Sequence, residues 1–120
     1  MFLDQVKPRL RKRGYVRNWF GRRRRVPGET PRQIRQAQNL IIQSTAADMA
    51  KAAMVRVHAT LPEGARLISV VHDEFIVECR QEQAEDVRAL MVEIMQATPD
   101  GFIVPMVVEA TIAGNWGDAK

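Results

Sequence analysis

Three adjacent residues, His72, Asp73 and Glu74, interrupt an otherwise apolar run, Leu67 to Cys79, "LISVVHDEFIVEC". Two neighbouring carboxylates at the tip of rigid apolar arms are a chemical opportunity. Side chains alternate in direction along a strand, so at least one carboxylate faces outward. Magnesium needs hard oxygen donors and is usually held by one or two protein carboxylates together with substrate phosphates, which makes Asp73 with Glu74 half of a cation site. The tripeptide by itself reads more simply as a solvated turn.

A second constellation lies upstream. Arg35, Asn39 and Gln43 recur at a spacing of four, which stacks them along one face of a helix. Their side chains can donate hydrogen bonds to adenine N3 and thymine O2, acceptors in the minor groove, and so could track a duplex without reading its sequence. The third feature is charge. Residues 1–35 carry twelve Lys and Arg against two Asp and Glu, whereas residues 36–120 carry six against twelve. Lys7, Arg9, Arg11, Lys12, Arg13, Arg17 and the run Arg22 to Arg25 suit a partner rich in phosphates, because each contact releases counterions. The run lacks the apolar face of a helix lying on a membrane.

The elements that must position these residues follow from periodicity and punctuation. "FLDQVKPRLRKR" places Phe2, Leu3, Val6 and Leu10 at helical spacing; Pro8 predicts a kink or late start, and Gly14 a C-cap. "GYVRNWFGRRRRVPGETP" predicts a short hairpin or extended segment closing in a loop. The longest helix is expected from Pro31 to about Thr60, opened by Thr30 as N-cap and stopped by Leu61, Pro62 and Gly64. "LISVVHDEFIVEC" predicts a β-hairpin with a polar tip. "QEQAEDVRALMVEIMQAT" predicts an amphipathic helix with Val87, Leu90, Met91, Ile94 and Met95 inward and Glu82, Glu85 and Asp86 in its first turn. "FIVPMVVEATI" predicts a last strand, edge or bulged at Pro105. His58 is expected on a helix surface, and Trp19, Phe102 and Trp116 in packing.

With 120 residues and 46% hydrophobic content, one modest core is affordable. The single Cys79 excludes an internal disulfide, and no Cys/His spacing suggests structural zinc. No apolar stretch approaches the ~18 residues needed to span a membrane, and no secretory block opens the chain. A reducing, intracellular setting is expected.

Several motifs together resemble one family. "GYVRNWFGRRRRVP" is similar to the segment following the nucleotide-binding helix of the fingers in family A DNA polymerases, the DNA polymerase I class. "NLIIQSTAADMAKAAMV" resembles that family's Asn-x-x-x-Gln-(Gly/Ser)-x-Ala-Ala-Asp helix, "VVHDEFIVEC" its palm motif C, and "GNWGDAK" its C-terminal tail. Order and spacing are kept from about Phe2 to Lys120. Ser44 stands where many bacterial members carry Gly, a variant similar to phage-type members.

The resemblance implies the C-terminal palm portion of a DNA polymerase. The expected fold is α+β, a small antiparallel sheet of the motif C hairpin and a C-terminal strand packed against helices. Residues 1–30 would be a basic helix and loop leading from the fingers, and residues 31–120 the palm portion, as one structural unit. By the same resemblance Asp73 would coordinate magnesium in a two-metal site, Glu74 would support it, and His72 would contact the primer terminus. Arg35, Asn39 and Gln43 would line the minor groove of the new duplex, and Arg22, Arg23 and Arg24 would lie near template or primer phosphates. Implied partners are primer-template DNA, deoxynucleoside triphosphates and the remainder of the polymerase; no membrane is expected, and the setting would be the cytoplasm of a bacterial or phage-infected cell. The family's other metal-binding aspartate, in palm motif A, and its nucleotide-binding helix lie upstream of the matching region, so the metal site is expected to be incomplete in this chain and the chain inactive alone. The competing reading is a non-catalytic nucleic-acid-binding module derived from a polymerase. A metal-dependent nuclease built on His72, Asp73 and Glu74 ranks lower, for want of further ligands.

Overall fold

Gly14 ends the first helix in the conformation expected of a glycine cap. Its φ is 70°, and its N–H donates to the Leu10 carbonyl at 2.7 Å, closing the last turn in the left-handed region that a Cβ would strain. The computed structural model describes residues 2–119. A 3₁₀ turn at Phe2–Gln5 leads into α1, Val6–Arg13. Pro8 is its third residue, within the first turn where its missing N–H forfeits no helical bond. The late start is therefore as expected, while the side chains of Phe2 and Leu3 lie outside what is described. Two short strands follow, β1 (Tyr15–Arg17) and β2 (Arg23–Arg25), paired antiparallel with Tyr15 opposite Arg25, Val16 opposite Arg24 and Arg17 opposite Arg23.

The chain divides into two compact units, residues 1–49 and 50–120. The division falls within α2, Pro31–Thr60. In the first unit Val6 and Leu10 of α1, Val16 of β1, Val26, and Ala37 and Ile41 of α2 form one buried cluster, with Leu40 against it. Both helices contribute residues four apart, so each presents one stripe to the core. The start of α2 is fixed by a reciprocal cap. The Gln33 amide donates to the Thr30 hydroxyl at 3.3 Å, and the Thr30 amide donates to Gln33 Oε1 at 3.0 Å, which satisfies two otherwise orphaned donors. Gln33 Nε2 also donates to the Pro27 carbonyl. Arg11 reaches across to Glu29, Nε to Oε1 and Nη2 to Oε2 at 3.1 and 3.0 Å. The hydrogen bond from Arg11 holds the Glu29 carboxyl below the ordinary carboxylate range.

In the second unit α2 ends at Thr60 before Pro62, and β3 (Arg66–Val71) pairs antiparallel with β4 (Glu74–Glu78). Leu67 lies opposite Val77 but Ser69 lies opposite Ile76, so Ile68 is an extra residue and the ladder bulges there. A 3₁₀ turn at Gln81–Gln83 leads to α3, Ala84–Gln96, whose Val87 is buried. Ala53 and Val57 of α2 are buried too, Val57 completely. The first turn of α3 carries Glu85 and Asp86, as the helix dipole favours.

The α+β class holds, with three α-helices and two two-stranded antiparallel sheets among the described residues. The last strand does not form. Residues 102–112 take no ladder position among the described residues. Ile103 is 94% and Val107 82% exposed. A strand exists only through its neighbour's N–H and C=O groups, and this segment finds none; Pro105 removes one donor as well. Its tie to α3 is the Val108 amide donating to Gln96 Oε1 at 3.1 Å.

Candidate functional site

Val71 and Glu74 are the last paired residues of the β3–β4 hairpin, so His72 and Asp73 alone make the turn. A two-residue hairpin loop of the primed types needs a positive φ at its first central position, usually supplied by glycine. His72 occupies it with φ 56°, the sole non-glycine positive φ among the described residues. Holding a histidine there costs on the order of 1–3 kcal/mol, a strain concentrated where function is expected. Asp73 and Glu74 are not equivalent: Asp73 sits in the turn, and Glu74 is locked in the ladder opposite Val71. All three side chains are exposed.

As a cation site the tip is partial. Among the described residues no group of three or more His, Cys, Asp or Glu side chains converges. Two hard oxygen donors suit magnesium as one contribution to its shell, beside waters and phosphates, but do not make a cage.

The α2 stripe belongs to the first unit. Arg35, Asn39 and Gln43 are exposed, and they extend over about 12 Å of helix axis at ~1.5 Å per residue. Ala37 and Ile41, half a turn away, are buried. The core thus fixes which face of α2 turns outward. His58, as expected, is exposed. Trp19 and Trp116, expected in packing, are 54% and 46% exposed, and Phe102 is half-buried.

The arginine run splits. Arg23, Arg24 and Arg25 are exposed on β2, whereas Arg22 forks onto Asp48, Nε to Oδ2 at 2.9 Å and Nη2 to Oδ1 at 2.8 Å. Those hydrogen bonds, and then the charge of Asp48, raise the Arg22 pKa further. Asp48 also accepts from Nδ2 of buried Asn18 at 2.6 Å, while Asn18 Oδ1 accepts from the Phe20 and Arg22 amides, both at 3.0 Å. The Trp19 amide donates to the Thr45 hydroxyl at 3.1 Å, and that hydroxyl donates to the Ile41 carbonyl at 2.7 Å. The bend between β1 and β2 is therefore latched to α2. The sequence reading missed this network, although one signal was available: nine residues beyond Asn39, Asp48 must face the opposite side of the helix, toward the core.

Comparison with known proteins gives these features a family. The model of DNA polymerase family A matches residues 1–118. The thermostable DNA polymerase I of Thermus thermophilus is 44% identical over 119 residues, covering 92% of this chain and 14% of the relative. The DNA polymerase I of Deinococcus radiodurans is 41% identical over 118 residues, with 92% and 12% covered. Among solved structures, the POL domain of Pol1 from M. smegmatis, in complex with DNA primer-template and dNTP, superposes with a TM-score of 0.70 at 30% identity, covering 79% of this chain and 18% of that one. The chain spans about one seventh of the length of the curated relatives it matches. A family match over residues 1–118, a span that holds the arginine hairpin, the α2 stripe and the His72–Glu74 tip, makes this chain a member of DNA polymerase family A.

Proposed function

We propose that this chain forms the C-terminal palm portion of a template-directed DNA polymerase, supplying one metal-binding carboxylate and the contacts that hold the new duplex. The observation that carries the proposal is Asp73, an exposed carboxylate fixed at a strained two-residue turn in a chain of this family. Strand pairing on both sides leaves the turn little freedom, so Asp73 meets its ligand with small entropic cost. In this reading Asp73 holds the metal, Glu74 supports it from the first position of β4, and His72 touches the primer end. Magnesium bound there would supply activation of the primer 3′-hydroxyl and relief of charge on the leaving phosphates. Arg35, Asn39 and Gln43 donate into the minor groove, which orients the duplex without selecting its sequence. Arg23 and Arg24 lie against phosphates. Arg22, part of the same expected run, serves this function through the Asp48 latch. Deoxynucleoside triphosphates and the rest of the palm complete the site.

The second reading, a non-catalytic nucleic-acid-binding module, is favoured by the absence of a third convergent ligand among the described residues. Asp73→Ala separates the two. With the chain grafted in place of the matching segment of the Thermus thermophilus relative, primer extension is expected to fall by more than ~100-fold, above the loss typical of an outer-shell partner. Extension unchanged by Asp73→Ala would remove that residue from the chemistry. In the chain alone, no extension is expected. Duplex affinity should hold or rise on Asp73→Ala and fall several-fold on replacing Asn39 and Gln43 with Ala; an unchanged affinity in the latter would remove the stripe from the interface.

A further inference from the structure

The β1–β2 hairpin carries a cluster that neither the arginine run nor the α2 stripe describes. Directly opposed residues of an antiparallel pair share one sheet face. Val16, opposite Arg24, is only 5% exposed and belongs to the core of the first unit. Tyr15, Arg17, Arg23 and Arg25 are therefore left together on the other face. Arg23 Cζ lies 5.0 Å and Arg17 Cζ 5.5 Å from the centre of the Tyr15 ring, within cation–π range. Arg17 Nη2 also donates to the Tyr15 hydroxyl at 3.3 Å. The ring thus organises two guanidiniums that would otherwise repel each other.

Charge on this face is not balanced from within. Among the described residues no carboxylate pairs with Arg17, Arg23 or Arg25, while Glu29 is taken by Arg11 and Asp48 by Arg22. Three exposed cations on a two-stranded scaffold, latched to a helix through Asn18 and Asp48, have the form of a preorganised anion site. Arg23 and Arg25 are two strand positions apart, about 6.8 Å at ~3.4 Å per residue, which suits successive phosphates better than one isolated anion.

We infer that Tyr15, Arg17, Arg23 and Arg25 form a clamp for consecutive phosphodiesters of a nucleic-acid strand. Arg17, Arg23 and Arg25 contact the phosphates, and Tyr15 is a positioning residue. The inference rests on the nucleic-acid reading above and refines it: Arg17 and Arg25 join Arg23 as one set of phosphate contacts ordered by Tyr15, on the hairpin face opposite Arg24.

The test is the salt dependence of binding to a labelled duplex and to a single strand of equal length, between 50 and 200 mM salt. For Arg17→Gln/Arg23→Gln/Arg25→Gln, three lost contacts should reduce the slope of log affinity against log salt by about 2.7 on a duplex and about 2.1 on a single strand. Over that fourfold salt range the duplex difference is about 40-fold in affinity. A form whose slope falls by its full expected amount is one the clamp holds. Each single variant should remove about 0.9 on a duplex, which keeps the test usable if the triple variant unfolds. Arg22→Gln should lower the melting temperature and leave the slope alone. Tyr15→Leu should weaken binding several-fold, and Tyr15→Phe, which keeps the ring, should restore most of it. If the chain binds DNA with a steep slope that the three substitutions leave unchanged, the clamp is refuted while the nucleic-acid reading survives. If the unaltered chain binds neither DNA, or binds anionic lipid vesicles more tightly than DNA, both fall.

Discussion

Replacing Asn18 with Ala tests whether the hairpin latch holds the first unit together. Asn18 is 7% exposed. It donates to the Asp48 carboxylate at 2.6 Å and accepts the Phe20 and Arg22 amides. A hydrogen bond to a charged group contributes about 1.5–3 kcal/mol, and a donor left without a partner costs about 1 kcal/mol or more. Phe20 is 44% exposed, so water can replace one bond at little cost. The sum is about 2–4 kcal/mol, which for a chain of this size corresponds to roughly 8–16 °C in melting temperature. Trp19 lies beside the latch and is one of two tryptophans, so a Trp116→Phe background makes its fluorescence a reporter of the first unit alone. Asp48→Ala, measured alone and combined with Asn18→Ala, should show a coupling of about 1 kcal/mol or more. A midpoint shift below ~2 °C, or additive effects within ~0.5 kcal/mol, would refute the claim that this network fixes the hairpin on α2.

Two further outcomes follow from the same unit. Gly14→Ala has room for its Cβ, with nothing within 4 Å, so only the left-handed φ of 70° resists it; the expected loss is about 1 kcal/mol. Gly28→Ala should cost more, because its Cβ would stand 2.5 Å from the Gln33 oxygen that closes the α2 cap; equal melting temperatures for the two variants would remove the cap from the account. The folded Glu29 pKa is depressed by the hydrogen bond from Arg11, so its contribution is present above the ordinary carboxylate value near ~4.3 and is lost as pH falls through the lower folded value. Glu29→Gln should therefore remove that contribution at neutral pH, a small loss for an exposed pair, and leave stability at the acid end unchanged, so that the acid limb of a stability–pH curve flattens; an unaltered acid limb would count against the Arg11–Glu29 tie.

What the sequence determined was whatever depends on near neighbours. Thr30, Pro31 and the stop at Pro62 bound α2, Gly14 caps α1, and the apolar arms around His72 and Asp73 make a hairpin, because caps, turns and strand alternation are settled within a few residues. The stripe of Arg35, Asn39 and Gln43 was legible for the same reason: helical periodicity alone places it on one face. The family, too, was legible in motif order. The tertiary structure decided what needs a distant partner. Arg22 looked like its three neighbours until Asp48, 26 positions away, claimed it. Asn18 is buried because the same carboxylate accepts its amide across 30 positions. Residues 102–112 have the composition of a strand, yet strand formation requires hydrogen bonds from another segment, and no periodicity in their own residues could show that none is met. The clamp around Tyr15 exists only through the register that sets Arg17 opposite Arg23, since a slip of one residue would turn these side chains to the other face.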